Sequence, residues 1–233
     1  MKYKEIWKTY NKVFDIRTFK ILEYLRKSGY IKDELIPVSE GKEAIVFKSG
    51  DFAIKIYKVM NISYREQYKY LAMDPRFKDF PRTIIGIIYT WVKKEYINLN
   101  RMYKNLVPVP MPIFYKGNIL VMEWIGDEKP APTLHEMKEI RESEKLFKKI
   151  LDAYKKIYNS AKLVHGDFSE YNILIYKDNP YIIDVSQAIP STAPAAETLL
   201  ERDIKNIVLI AKKLGLEIIY EVILKEIKSD SEG

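Results

Sequence analysis

Leu163-Val164-His165-Gly166-Asp167-Phe168-Ser169-Glu170-Tyr171-Asn172 is followed, twelve residues after Asn172, by Asp184 within Tyr181-Ile182-Ile183-Asp184-Val185-Ser186. Three polar residues able to bind a proton or a metal are thus set between apolar runs. Asp167 and Asn172 are expected on a loop between a helix and a strand. Asp184 is expected to close a second short strand, with Asp178-Asn179-Pro180 as the turn between the two strands. Phosphoryl transfer uses this set: one carboxylate to orient an attacking hydroxyl, and an amide with a second carboxylate to hold a metal.

The composition sets bounds around this motif. With 233 residues, 47% hydrophobic and 30% charged, the chain can bury a substantial core in one large domain or two lobes. No apolar run approaches the roughly 18 to 20 residues that span a bilayer. Met1-Lys2-Tyr3-Lys4-Glu5 lacks the pattern of a signal peptide, so cytoplasmic residence is the expectation. The absence of cysteine excludes disulfides and thiolate metal sites, and two histidines cannot make a His-rich one. The net charge of +7 is a modest bias toward anionic partners, and a lysine-rich solvated surface is the better explanation of it.

Apolar spacing through Ile16, Phe19, Leu22 and Leu25, stopped by Gly29, predicts a helix over residues 15–28. Leu35 to Val38, Ala44 to Phe47 and Phe52 to Tyr57 read as an antiparallel meander. A helix follows from about Thr83 to Met102, and Pro108, Pro110 and Pro112 precede a strand pair ending at Glu123. Thr133-Leu134-His135-Glu136 has the pattern of a capping box that starts a short helix. Periodic helices are expected over residues 143–160 and, split near Gly215, over residues 195–227. Sheet first and helices later predicts an α+β protein of two lobes.

Lys55 stands mid-strand in Ala53-Ile54-Lys55-Ile56-Tyr57, where an unpaired buried charge would cost several kcal/mol. Glu95, on the helix of Trp91-Val92-Lys93-Lys94-Glu95, is its natural partner. A lysine held by a helix glutamate and aimed at nucleotide phosphates is the protein-kinase arrangement. With these residues in view, the chain resembles the RIO family of atypical protein kinases. The segments carrying the likeness are Ser39 to Ala44, Ala53 to Lys58, Val164 to Asn172 and Ile182 to Gln187. Val13-Phe14-Asp15-Ile16-Arg17-Thr18, Lys27 to Ile31, Thr90 to Glu95 and Val121 to Gly126 are similar to the type-one subfamily.

The resemblance implies a two-lobed protein-kinase-like fold with an antiparallel-sheet N-lobe and a truncated, mainly helical C-lobe. Residues 1–36 would form a short helical extension, 37–123 the N-lobe, and 124–233 the hinge and C-lobe. It implies ATP with Mg²⁺, Mn²⁺ being an alternative metal. Asp167 would orient the attacking hydroxyl or water, and Asn172 and Asp184 would hold the metal, Asp184 also counting as catalytic. Lys55, positioned by Glu95, would bind the α and β phosphates, covered by Ser39 to Ala44 with Ser39, Gly41 and Lys42 in the cover. Backbone groups of Glu123 and Ile125 would meet the adenine edge beside Met122, Ala53 and Ile183. The implied role is maturation of the small ribosomal subunit, with a subunit precursor as partner and contact with rRNA. The brevity of the chain suggests an archaeal member.

Several features depart from ordinary protein kinases. The phosphate-covering loop has one glycine, Gly166 replaces the arginine of His-Arg-Asp, and Ser169 replaces a lysine. No Ala-Pro-Glu segment follows Asp184, and residues 185–233 are too few for an activation loop with a full peptide-binding subdomain. ATP hydrolysis is therefore as plausible as phosphorylation of a protein. Ser191-Thr192-Ala193-Pro194 differs from the type-one pattern, so no role is carried to residues 191–196. Two other readings compete. One is a nucleotide-gated assembly factor with little turnover; the other is a compact kinase of tRNA modification or of small molecules. Ser169-Glu170-Tyr171 and Val185-Ser186 argue against the latter. His165 is expected to be a packed core residue, and the basic residues Arg17, Lys20, Arg26 and Lys27 a solvated helix face.

Overall fold

Three neighbouring, largely buried strands organise the first half of the chain. The computed structural model describes residues 14–32, 34–59 and 64–229. The expected features at Met1 to Glu5 and Val13 lie outside these residues. Strands β1 (Ile36–Glu40), β2 (Ala44–Ser49), β3 (Phe52–Tyr57), β4 (Pro112–Lys116) and β5 (Ile119–Glu123) form one antiparallel sheet of order β1-β2-β3-β5-β4. Alternate residues of a strand share a face. Ile45, Phe47, Ile54, Ile56, Ile119 and Val121 therefore line one side, all at or near zero exposure.

That side is covered by helix α1 (Ile16–Lys27), through Phe19, Ile21, Leu22 and Leu25, together with Phe14, Ile31 and Leu35. Asp15 caps the helix by accepting from the Thr18 N–H (2.9 Å). The helical lead-in thus shares its core with the sheet. Ile16, expected on the apolar face, is instead exposed, and Phe14 and Ile21 take its place. Arg17, Lys20, Arg26 and Lys27 are exposed, as expected for a solvated face.

Compact clustering of the chain gives two units. Of the described residues, the first comprises 14–32, 34–59, 64–72, 76–97 and 111–124, and the second 73–75, 98–110 and 125–229. Helix α2 (Arg65–Ala72), for which no sequence signal was read, belongs to the first unit. The division falls within helix α3 (Ile84–Lys104), between Ile97 and Asn98. The buried stripe of α3 includes Ile88, Trp91, Val92 and Glu95, at the three- and four-residue spacing of one helix face.

The second unit holds α4 (Ser143–Lys155), which continues as a π-helical turn over Lys156–Ser160, then α5 (Ala196–Lys213) and α6 (Tyr220–Ser229). Two small antiparallel pairs accompany them: β6 (Leu163–Val164) with β9 (Ile189–Pro190), and β7 (Ile173–Tyr176) with β8 (Asn179–Ile182). The β7–β8 turn corrects the sequence reading. Tyr176 pairs with Asn179, so Lys177 and Asp178 form the loop, both at positive φ, and Asn179 and Pro180 belong to the strand. Two successive positive φ values are the signature of a type I′ hairpin, whose twist suits its strands. The strand ends at Ile182, so Asp184 lies beyond it rather than closing it.

Thr133 and Glu136 make the expected reciprocal capping bonds: Thr133 N–H to Glu136 Oε2 (2.8 Å) and Glu136 N–H to Thr133 Oγ1 (3.3 Å). No helix follows; the Leu134 N–H donates to the Ile173 carbonyl and Thr133 bridges to Leu174. The capping box here closes a single turn.

The β4–β5 turn has a steric requirement that can be tested. Gly117 has φ +57°, and a Cβ there would lie 2.5 Å from Ile21 Cδ1. Gly117→Ala should destabilise the chain by about 1–3 kcal/mol in urea denaturation, since overpacking adds to left-handed strain. Gly29→Ala, at φ +80° in open space, should cost less.

Candidate active site

Strand β3 and helix α3 place the first group of predicted residues. Lys55 and Glu95 meet with Nζ to Oε1 at 2.7 Å, their side chains 10% and 1% exposed. Two charges so far from water must be closely paired, because removing either leaves the other buried alone. Tyr57, two residues along β3 and so on the same face as Lys55, donates its hydroxyl to Glu95 Oε2. Its ring centroid lies 5.0 Å from Lys55 Nζ. Glu95 is thus held through both oxygens, and Tyr57 is a participant that the motif reading missed. Its spacing of two from Lys55 was the available signal.

The remaining predicted residues of the first unit lie on the same sheet. Ala53 is two residues before Lys55 and pairs across the ladder with Met122, bringing these two predicted wall residues together. Ser39 is in β1, and Gly41 and Lys42 are in the β1–β2 turn, closed by a bond from the Gly41 N–H to the Ala44 carbonyl (2.9 Å). Glu123 ends β5, with its N–H bonded to the Met111 carbonyl (2.9 Å).

In the second unit, Asp167 and Asn172 are brought together. The Asn172 amide nitrogen donates to the Asp167 carbonyl (2.9 Å) and to its Oδ2 (3.0 Å). With its donors spent, Asn172 has its amide oxygen as the remaining acceptor. Asp184 has φ +56°, an uncommon conformation that Asp tolerates better than most residues. Its Oδ1 accepts from Ser186 Oγ (2.9 Å). Ile183 donates its N–H to the Asn172 carbonyl (2.9 Å), and Ile125 accepts from the Ala131 N–H (3.0 Å). An amide oxygen and a carboxylate are hard oxygen donors of the type Mg²⁺ prefers. Among the described residues no group of three or more His, Cys, Asp or Glu is arranged to hold a metal.

A buried carboxylate fixes the backbone before Asp167. Asp203, fully buried in α5, accepts from the N–H groups of Gly166 (2.8 Å) and Phe168 (3.0 Å) and from the Tyr154 hydroxyl (2.8 Å). Burial pushes its carboxyl up despite these bonds, and burial followed by the charge of Asp203 pushes the Tyr154 hydroxyl well up. His165 is fully buried and accepts the Asp167 N–H at Nδ1 (3.2 Å), the packing role expected of it. Asn98 donates to the carbonyls of Val185 (2.8 Å) and Ala188 (2.9 Å), fixing the chain after Asp184. Neither Asp203 nor Asn98 lies within a motif, so sequence spacing gave no sign of them.

Glu170 fixes the other side of the loop. Its carboxylate meets His135 Nδ1 (2.8 Å) and Lys213 Nζ (2.7 Å), while the Tyr171 ring stacks on His135 at 4.2 Å. Burial raises the Glu170 carboxyl, but the bonds from Lys213 and His135 outweigh it and hold the group below its usual range.

The fold resembles that of a Rio2 kinase from Chaetomium thermophilum, solved as an ADP/Mg²⁺-phosphoaspartate complex. The TM-score is 0.65 at 18% identity, covering 92% of this chain and 69% of that one. The five-stranded sheet and the mainly helical second unit are thus those of a protein-kinase-like fold. A model of the RIO domain matches residues 39–223. The RIO-type serine/threonine-protein kinase Rio1 of Methanocaldococcus jannaschii is 38% identical over 231 residues, 97% of this chain and 79% of that protein. The Rio1 of Haloferax volcanii is 33% identical over 245 residues, 100% of this chain and 83% of that protein. The chain belongs to the RIO family of atypical serine/threonine protein kinases, in its type-one, Rio1 branch.

The Glu170 contacts carry a pH prediction. A carboxyl lowered by folding contributes stability above its unfolded value, here taken as 4.5, and that contribution is lost as pH falls through the folded value. Metal-free Glu170→Gln should therefore be less stable than the parent at pH 7, with the difference shrinking below pH 4.5 in denaturant titrations. An undiminished difference at pH 3 would show that the carboxylate charge is not what holds this loop.

Proposed function

We propose that this chain binds ATP with Mg²⁺ and transfers the γ-phosphate to a hydroxyl or to water. The observation that carries the reading is the pairing of Asp167 with Asn172, in a chain that also buries the Lys55–Glu95 ion pair. Lys55 would bind the α and β phosphates, with Glu95 fixing its direction. Ser39, Gly41 and Lys42 would cover the phosphates, where a single glycine offers fewer close backbone N–H groups than the three of ordinary kinases. Glu123 would offer its carbonyl and Ile125 its N–H to the adenine edge, since the opposite backbone group of each is bonded within the protein. Ala53, Met122 and Ile183 would wall the base.

Asp167 would accept the hydrogen bond of the attacking hydroxyl and direct its oxygen at the phosphorus. Asn172 and Asp184 would hold Mg²⁺, which supplies charge neutralisation on the phosphate oxygens when bound. Mn²⁺ satisfies the same oxygen donors. Asp203 and Glu170 would keep the loop in place through the reaction, so that little rearrangement is needed as charge develops. The Rio2 neighbour, described as a phosphoaspartate complex, makes a phosphorylated carboxylate of this chain a third product to be sought, beside free phosphate and phosphorylated protein.

The setting follows from the family resemblance: small-subunit maturation in the cytoplasm, on a subunit precursor with rRNA contact. A net charge of +7 supports an anionic partner. Among the described residues no helix is long and apolar enough to cross a membrane.

The test is a single-turnover incubation with γ-labelled ATP, Mg²⁺ and purified small-subunit precursor, with the three products scored separately. At least one product should form, and Asp167→Ala should slow it by about 10²- to 10⁴-fold, the usual contribution of a positioned acid–base group. If none forms with either Mg²⁺ or Mn²⁺, the catalytic reading fails. If subunit maturation survives Asp167→Ala but not a Lys55 variant that blocks nucleotide binding, the nucleotide-gated reading replaces it.

A further inference from the structure

Behind the Lys55–Glu95 pair a series of buried side chains leads to helix α1. Asp15 Oδ1 accepts from both the N–H and the hydroxyl of Thr18, each at 2.9 Å. Thr18, fully buried, accepts from Asn118 Nδ2 at 2.9 Å. The same nitrogen of Asn118 donates to the Tyr57 carbonyl (2.7 Å), and the Tyr57 N–H donates back to the Asn118 carbonyl (2.8 Å). The Tyr57 hydroxyl then reaches Glu95, and Glu95 reaches Lys55. All of these residues belong to the first unit.

The register explains why Asn118 and Tyr57 clasp. Ile56 pairs with Ile119 at the end of the β3–β5 ladder, so the next residues on each strand, Tyr57 and Asn118, face one another just beyond it. Asn118 is at zero exposure in the β4–β5 turn, directly after Gly117, where a Cβ would meet Ile21 of α1. The turn is thus bonded to Thr18 of the helix on one side and to Tyr57 on the other.

We propose that Tyr57 is a positioning residue for the phosphate-binding lysine, and that α1 holds Tyr57 in register through Thr18 and Asn118. The inference rests on the role given to Lys55 above. Glu95 ends a long side chain, and one oxygen is bound to Lys55. The Tyr57 hydroxyl takes the second oxygen and so adds a restraint on the direction in which Lys55 Nζ is presented. Because Tyr57 is on the same strand as Lys55, the two groups that grip Glu95 are fixed relative to one another. Ordinary kinases form their lysine–glutamate pair by placing this helix, often under control of activation-loop phosphorylation. The chain has no Ala-Pro-Glu segment after Asp184, and in it the pair is held from within the sheet. Helix α1 becomes the outer support of the nucleotide site, although none of its residues is placed in contact with the nucleotide.

The experiment measures the ATP·Mg²⁺ dissociation constant by calorimetry on the full chain, beside the nucleotide-free melting temperature. The variants are Lys55→Ala, Tyr57→Phe, Thr18→Val and the double variant Tyr57→Phe/Thr18→Val. Tyr57→Phe keeps the ring over Lys55 and deletes one hydrogen bond to a charged group, so the dissociation constant should rise about tenfold. Thr18→Val should raise it about two- to threefold, and should add little in the Tyr57→Phe background, because both act on the same restraint. A purely structural role would lower the melting temperature of each variant and leave the dissociation constant unchanged. Should Lys55→Ala weaken binding while Tyr57→Phe and Thr18→Val bind as the parent does, the positioning role is wrong and the reading of Lys55 stands. Should Lys55→Ala itself bind as the parent does, the reading of Lys55 falls, and this inference with it. If Tyr57→Phe fails to fold, Thr18→Val alone decides between the first two outcomes.

Discussion

Lys55 cannot sit where it does without Glu95. The effective cost of taking either ion out of water is several kcal/mol even after relaxation, and their mutual attraction recovers it only with close geometry and further hydrogen bonds. A well-packed apolar pair would serve the fold as well. The ion pair at 2.7 Å, with a tyrosine on the second oxygen, is therefore better explained by the phosphate-binding role proposed for the lysine than by what it adds to stability. Much of the first unit follows from this requirement. The strand that carries Lys55 is central in the sheet, the helix that carries Glu95 turns its buried stripe to it, and the opposite face of the sheet is closed by α1.

The second unit meets a different constraint with the same means. Its polar loop holds Asp167 and Asn172, the residues proposed for catalysis and metal binding, against one another, with the Asn172 amide nitrogen as the donor. The backbone beside them is accordingly bound from elsewhere: by Asp203 from α5, by Glu170 with His135 and Lys213, and by Asn98 beyond Asp184. Asp184 is itself held at an unusual φ, with Ser186 bonded to one of its oxygens. Strain of this kind persists where the surroundings over-determine it, commonly at functional sites. The residues given chemical roles are few, and the residues fixing them are spread widely along the chain.

That distribution decides what could be read from sequence. The strands were legible because alternation of Ile45 and Phe47, or Ile54 and Ile56, is a local signal. The Lys55–Glu95 pair was legible because an apolar strand does not tolerate a lone charge. The β7–β8 turn was misplaced because Asn179-Pro180 has turn chemistry, whereas the loop of least strain for this register took Lys177 and Asp178. Thr133 to Glu136 formed its capping bonds yet no helix, and the segment is bonded instead to Ile173, far along the chain. Asp203 and Asn118 were invisible for the same reason: each acts on partners 35 or more residues away, where spacing carries no information.

The account turns on the claim that the buried ion pair exists for the nucleotide and not for the fold. The most direct measurement compares the parent with Lys55→Met/Glu95→Leu, in which both charges are replaced by apolar groups of similar size. Urea unfolding and ATP·Mg²⁺ turnover would be followed on the same samples. The account predicts stability within about 1 kcal/mol of the parent or above it, together with loss of ATP turnover. A double variant that unfolds at much lower urea, or that turns over ATP at the parental rate, would contradict it.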